Sequence, residues 1–161
     1  MSTDGSTDEL EKFKQIGLYV YWFSQMENAV RTAACDMLAL SDLQRNRLMP
    51  VVDFVSMCKI CQAEVARTMK DDPQRGFLEE LIKRALKVVE DRNRIAHGYW
   101  YDHDGTPAAI HASRTTFTDG PYFTRPGELV EKTAEVRKLY EQIWDHFPFM
   151  VIPVHSESGV R

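Results

Sequence analysis

Apolar residues recur at spacings of three and four along most of the chain, the pattern of helices that are buried on one side. In the N-terminal quarter two such series run side by side: Phe13, Ile16, Val20, Phe23, Val30, Ala34 and Met37 form one, and Tyr19, Trp22, Met26, Ala29 and Ala33 the other. They predict a long helix packed on more than one neighbour. A capping box of Ser6 and Glu9 marks its start, and we expect it to end near Leu40. One carboxylate, Glu27, interrupts the first series.

Two further segments carry the chain to its centre. From Ser41 to about Pro50 we expect a connection of one or two helical turns, and the helical spacing then returns over residues 51–69. Asp72 and Pro73 mark a stop and a restart, because aspartate is a good N-cap and proline fits the first turn of a helix.

The helix predicted over residues 73–97 has polar residues where its core face should continue. Its two series are Leu78, Leu81, Ala85, Val88, Arg92 and Ile95, and Ile82, Leu86, Val89, Asn93 and Ala96. Each is apolar until Arg92 or Asn93 interrupts it, so we expect both side chains to point inward. Gly98 is expected to end the helix in a left-handed conformation.

The helical spacing is lost between Tyr99 and Tyr122. Turn residues around Gly105 predict a β-hairpin, and Thr115–Thr118 predicts another short strand that Asp-Gly-Pro closes. A last helix should follow, capped by Thr124. Its apolar series is Leu129, Val136, Tyr140, Ile143 and Phe147.

These elements predict an all-α fold, a four- to five-helix up-and-down bundle with a short β-hairpin insertion before the last helix. We divide the chain into a disordered leader over residues 1–6, a single helical domain over 7–148 and a tail over 149–161. No internal repeat or second domain is apparent in the sequence.

Composition narrows the class of protein. With 161 residues, 43% hydrophobic and 27% charged, the chain is an ordinary globular domain. Its net charge of −4 excludes a generally basic nucleic-acid coat, so a polyanion would need a local basic patch. Three cysteines, an odd number, argue against a disulfide scaffold. The polar, acidic N-terminus and the lack of a long apolar run predict a cytoplasmic protein without membrane contact.

The candidate site is the end of the third long helix. Asn93 and His97 are four residues apart and share a helix face, whereas Arg92 and His97 lie about 140° apart around an ideal helix. Arg92 and His97 therefore converge on one point only if the helix bends or a second chain supplies the opposite wall. The helix dipole alone favours Arg and His in a last turn, which is the structural explanation. An inward Arg92 paired with Glu27 would account for the charged residue in the apolar series of each of the two helices.

The segment RNRIAHG, residues 92–98, resembles the signature of HEPN domains, all-α proteins with an Arg-x(4–6)-His motif at the end of a helix. WFSQME at Trp22–Glu27 and HGYW at His97–Trp100 are similar to some families of that superfamily. The order of elements agrees over most of the chain, but the specific part of the match is about eight residues.

The resemblance implies a metal-independent endoribonuclease that works as a homodimer, with a toxin or phage-defence effector as the expected role. His97 would be the general acid or base for attack of a ribose 2′-hydroxyl on the adjacent phosphate. Arg92 would neutralise the phosphorane and Asn93 would orient a phosphate oxygen or the imidazole. From the charge pattern, Lys87 and Arg94 are RNA-binding candidates, although for Arg94 a solvated surface position is favoured. Glu27 would position Arg92, or form a structural salt bridge.

Other patterns leave alternatives open. Cys58 and Cys61 form C-x-x-C within a helix, where filling the core explains them better than redox chemistry or a metal site. Tyr99, with Trp100 and Tyr101, could stack on RNA bases or simply pack a hairpin on the bundle. The alternative function is a non-catalytic helical module that binds RNA or a protein, such as the partner of a nucleotidyltransferase. An antitoxin would be the corresponding partner of a toxin.

Overall fold

The computed structural model describes residues 4–48, 50–112 and 119–147. In these ranges the helices are α1 (Asp4–Met37), α2 (Asp42–Leu48), α3 (Phe54–Thr68), α4 (Arg75–His97) and α5 (Glu128–His146). The strands β1 (Tyr99–His103), β2 (Thr106–Ala112) and β3 (Asp119–Tyr122) lie between α4 and α5 and form one antiparallel sheet in the order β1-β2-β3. The predicted all-α bundle with a short β insertion before the last helix is confirmed.

Helix α1 is the centre of the core, because it packs against α3, α4 and α5. Its second apolar series is buried as predicted, and Tyr19 is wholly enclosed, with its hydroxyl donating to the carbonyl of Val88 at 3.2 Å. Burial raises the pKa of Tyr19 well above its usual value. This hydrogen bond joins the first helix to the fourth, one turn before the candidate site.

The first series of α1 is buried only in its C-terminal half. Phe23 packs against Phe54 of α3 with ring centroids 5.4 Å apart, and Val30 is also buried. Phe13 is 60% exposed and Val20 is also exposed, contrary to the prediction. Helix α3 meets α1 from Phe23 onward, so the same side of α1 is left uncovered nearer its start.

Helices α4 and α5 run antiparallel. The contacts along their interface are Phe77 with His146, Arg84 with Gln142 and Asp91 with Lys132. Because the residue numbers rise along α4 as they fall along α5, the end of α4 lies beside the first turns of α5. The candidate site is therefore close to the point where the chain leaves the sheet.

The hairpin predicted around Gly105 is confirmed. Asp104 has a φ of 51° and Gly105 a φ of 77°, the two left-handed residues of a tight turn that follows the twist of the strands. The carboxylate of Asp102 accepts a hydrogen bond from the N–H of Gly105 at 2.9 Å. Asp-Gly-Pro belongs to β3 instead of closing a strand, and the predicted Thr115–Thr118 strand lies outside the described residues.

The predicted start of α1 is wrong. The helix begins at Asp4, so Ser6 lies inside it and does not cap it. Residues 1–3 of the proposed leader, residue 148 and the whole tail over 149–161 lie outside the described residues.

Two other predicted caps are also wrong. The N-cap of α4 is Gln74, and Asp72 instead accepts from the N–H of Gln74 at 2.7 Å, in a turn before the helix. The N-cap of α5 is Gly127, in a left-handed conformation, three residues beyond Thr124. Short polar side chains stabilise turns as well as helix ends, which is why the sequence signal was ambiguous.

All three cysteines, Cys35, Cys58 and Cys61, are buried as thiols. Burial raises the pKa of Cys58 and of Cys61 to about 12. Cys58 and Cys61 belong to the core cluster between α1 and α3, so the prediction that C-x-x-C fills the core is confirmed.

We expect the three thiols to resist Ellman's reagent in the native protein and to react fully in concentrated guanidinium chloride, because the reagent needs an accessible thiolate. An exposed Ser24→Cys variant should react at once and is the control. The unfolded chain loses thiol protons above pH ~9 while the native chain keeps them, so stability should fall as pH rises from about 9 towards 12. Rapid reaction of a native thiol in the parent protein would contradict the prediction.

Candidate functional site

The candidate site lies where α4 ends and β1 begins. The helix continues without interruption to His97, and the N–H of Gly98 donates to the carbonyl of Arg94 at 2.8 Å. Gly98 is extended, with φ −74° and ψ 149°, so the predicted left-handed end is wrong. Glycine has another reason here: a Cβ atom would lie 2.3 Å from the Arg94 carbonyl oxygen and 3.1 Å from Cβ of Ala109. The strand starts in direct contact with the last helical turn.

His97 is exposed at this junction. Its imidazole has no hydrogen bond or ion pair with any residue that the structure describes. Because α4 stays helical, His97 and Arg92 point in directions about 140° apart. A single copy of the chain thus presents His97 to solvent without enclosing it.

Arg92 is half-buried and has neutral neighbours. Its Nη1 donates to Oδ1 of Asn93 at 3.2 Å, and its guanidinium carbon lies 5.9 Å from the centroid of the Phe23 ring. Within the described part of the chain no carboxylate forms an ion pair with Arg92. The positive charge is held in place by an amide and a ring, and it is not neutralised.

The predicted pair between Glu27 and Arg92 is not formed. Glu27 instead accepts from Nη2 of Arg31, one turn further along α1, at 2.6 Å, and Arg31 also donates to the carbonyl of Val52 at 3.0 Å. A Glu followed four residues later by an Arg is a favourable local pair, and the sequence carried this signal. Arg31 connects α1 to the segment before α3, and Glu27 forms a salt bridge with Arg31, the structural role that was its alternative.

A buried carboxylate that the sequence did not single out lies beside the motif. Asp91 is only 7% exposed, and its two oxygens accept from Nη1 of Arg94 at 3.0 Å and from Nζ of Lys132 at 2.9 Å. Desolvation lowers the pKa of Lys132, but the hydrogen bond to Asp91 and the negative charges of Asp91, Glu135 and Glu128 together outweigh this effect, and the net pKa is raised. Asp91 ties α4 to α5 at the level of the site.

Arg94 is part of the same network and is not a solvated surface residue. It pairs with Glu90 at 3.2 Å as well as with Asp91, and its guanidinium carbon lies 4.1 Å from the centroid of the Tyr122 ring on β3. Two carboxylates and one ring occupy Arg94, whereas Lys87 is exposed on the same helix. Arg94 thus links the end of α4 to the sheet.

The motif residues that the structure brings together are Arg92 and Asn93, with Arg94 next to Asp91. Tyr99 follows the helix end and is 75% exposed, whereas Trp100 donates through Nε1 to the carbonyl of Ile95 at 3.1 Å.

The described side chains contain no cluster of three or more His, Cys, Asp or Glu residues that could hold a metal ion. No helix in the described ranges has the length and apolar character needed to span a membrane. Comparisons with known protein families, curated proteins and solved structures found no match to this chain.

We expect Asp91→Asn to lower the free energy of unfolding by about 2–3 kcal/mol, somewhat less than for a fully buried pair because Lys132 remains partly hydrated. The substitution removes the charge that compensates Lys132 and Arg94 while keeping the side-chain size. Urea denaturation measures the change. Glu131→Gln, which removes an exposed carboxylate from the pair with Arg125, should change stability little. Equal stability losses in the two variants would contradict a special role for Asp91.

Gly98→Ala should lower stability by about 1–3 kcal/mol, because the new methyl group must push β1 away from the last turn of α4. Gly76→Ala on the same helix is the matched control. No atom lies within 4 Å of a Cβ at position 76, and the change should be neutral or stabilising. Thermal unfolding of both variants tests the comparison. A Gly98→Ala protein as stable as Gly76→Ala would show that the junction accommodates a methyl group and would contradict the prediction.

Proposed function

We propose that this protein is a metal-independent endoribonuclease of the HEPN type. The observation that carries the proposal is the pairing state of the motif: Arg92 has an uncompensated guanidinium, and the exposed imidazole of His97 has no partner among the described residues. Arg94, by contrast, is paired with the carboxylates of Glu90 and Asp91. Such a guanidinium as that of Arg92 can neutralise a phosphate and such an imidazole can transfer a proton, the two functions that cleavage of a phosphodiester needs.

In the proposed reaction the ribose 2′-oxygen attacks the adjacent phosphorus as its proton passes to a base, and the 5′-oxygen leaves with a proton from an acid. The products are a 2′,3′-cyclic phosphate and a 5′-hydroxyl, and no water is consumed. His97 performs proton transfer, because an imidazole can both accept and donate a proton. Arg92 stabilises the charge that develops on the phosphorane, and Asn93, whose Oδ1 accepts from Arg92, orients the guanidinium.

The active form in this proposal is a homodimer. Arg92 and His97 diverge by about 140° around a helix that does not bend, so one copy cannot surround a phosphate with both. A second copy facing the first would supply the opposite wall and a second His97, giving one base and one acid. Lys87 is exposed and would add positive potential along the approach to the cleft.

The cellular role that fits this activity is that of a cytoplasmic toxin or defence effector that an antitoxin or a nucleotidyltransferase partner restrains. The motif supports this role through the resemblance to HEPN domains alone. The alternative, a non-catalytic module that binds RNA or protein, uses the same exposed helix end and makes opposite predictions for cleavage.

We expect the purified protein to cleave labelled RNA in EDTA and to leave 2′,3′-cyclic phosphate ends. His97→Ala should lower the rate by about 10²- to 10⁴-fold, because proton transfer contributes that much. Arg92→Ala should lower it by about 10²- to 10³-fold, since it removes a donor from the developing charge. Gel analysis of the fragments, with treatment by a cyclic phosphodiesterase, measures both rate and end group.

His103→Ala and Arg67→Ala are the matched controls, because both residues are exposed and lie outside the motif. Both variants should cleave like the parent protein. Cleavage that EDTA abolishes, or that leaves 5′-phosphates, would contradict the proposed mechanism. A folded dimer that binds RNA but never cleaves it would favour the non-catalytic module.

A further inference from the structure

An exposed apolar row crosses the outer face of the sheet. Tyr99 of β1 pairs with Ile110 of β2, which in turn pairs with Pro121 of β3. Directly opposed residues in antiparallel strands project to the same face, so the three side chains are neighbours. Tyr99 is 75% exposed, Ile110 is 41% exposed and Pro121 is also exposed. We call these three residues the sheet row.

The hairpin is anchored by its other face, so the sheet row is not needed for packing. Trp100 stacks on Phe123 with ring centroids 5.8 Å apart and donates to the carbonyl of Ile95. Its pairing partner Ala109 is fully buried, and the next residue in register, Tyr122, lies under Arg94. Packing of the hairpin on the bundle therefore accounts for Trp100 but leaves Tyr99 unexplained.

The sheet row begins two residues after His97, the residue proposed to transfer a proton. Only Gly98 separates Tyr99 from His97, and Gly98 is in close contact with the last turn of α4, so the junction is fixed. A proton-transfer group close to an exposed phenol ring matches two parts of a nucleotide, the ribose that reacts and the flat face of its base.

Resting on the proposed function, we propose that the sheet row is a base-stacking platform for an unpaired nucleotide of the RNA substrate. The base of a nucleotide flanking the scissile phosphate lies on the Tyr99 ring, with Ile110 and Pro121 extending the apolar surface. In a duplex both faces of each base are covered by its neighbours, and only unpaired nucleotides can use the platform. The preference should be weak among the four bases, since every base has a π face.

The test is a double substitution of protein and RNA. The substrate is a short unstructured RNA with one cleavage site, prepared in its normal form and with an abasic nucleotide on either side of that site. Tyr99→Ala should reduce kcat/KM on the normal RNA by about 5- to 100-fold, the range expected for loss of one stacked base. Removing the base should reduce it similarly, and the two changes together should have little further effect, because both remove the same contact.

Two further variants keep the result interpretable. Tyr99→Phe retains the ring and should cleave like the parent protein, which separates stacking from loss of the hydroxyl or of folding. Tyr21→Ala removes an exposed tyrosine that lies on α1, away from the sheet row, and should leave kcat/KM unchanged. Locking the cleavage site into a duplex should abolish cleavage by the parent protein.

Failure of this inference is distinguishable from failure of the proposed function. Suppose that the parent protein cleaves and that removal of the base lowers kcat/KM of Tyr99→Ala as much as it lowers kcat/KM of the parent. The platform is then overturned, and the ribonuclease remains. If nothing cleaves, anisotropy with a labelled single-stranded RNA decides: weaker binding by Tyr99→Ala alone supports the platform without catalysis, and equal binding overturns both. If Tyr99→Ala converts a dimer to a monomer in analytical ultracentrifugation, the sheet row is an interface between copies, and the platform is overturned.

Discussion

The end of α4 depends on one buried negative charge. Asp91 is almost completely enclosed, yet Lys132 reaches its carboxylate from α5 and Arg94 reaches it from the next turn of α4. A carboxylate removed from water needs such partners, because an unpaired charge in the interior strongly destabilises a fold. Arg94 also covers the ring of Tyr122, so the same charge holds the sheet against the helix. Two helices and the sheet meet here through one side chain.

This arrangement also decides which of two arginines has carboxylate partners among the described residues. Arg94 and Arg92 are two residues apart, but the acidic partners Asp91 and Glu90 both engage Arg94. Arg92 has an amide and an aromatic ring as partners, and neither carries a compensating charge. The helix end therefore separates an arginine that is paired with two carboxylates from one that has no carboxylate partner in the described ranges. The two arginines have the same chemistry and differ in their partners, because the carboxylate of Asp91 lies beside Arg94.

The sequence predicted the helices, the hairpin and the buried cysteines, because apolar spacing and turn chemistry are local signals. It predicted the site residues only in part. After Val88, the core face of α4 can continue by a step of three to Asp91 or by a step of four to Arg92, and spacing cannot choose between them. The choice depends on Lys132, which another helix brings to the same point. A charge partner supplied by tertiary structure leaves no periodic signal, which is why Asp91 was missed and Arg92 was expected to be deeper than it is.

The hairpin has a rigid root and a free tip. At the root, Gly98 touches both the helix and the neighbouring strand, so the chain has no room for added atoms. At the tip, Asp104 and Gly105 form an exposed turn about 17 Å away, the length of five strand residues. Inserted residues are generally accepted at exposed turns whose backbone carries no tertiary contacts. Length variation in this part of the chain is therefore expected to collect at the tip, where a peptide tag or a fused domain could be added without moving His97.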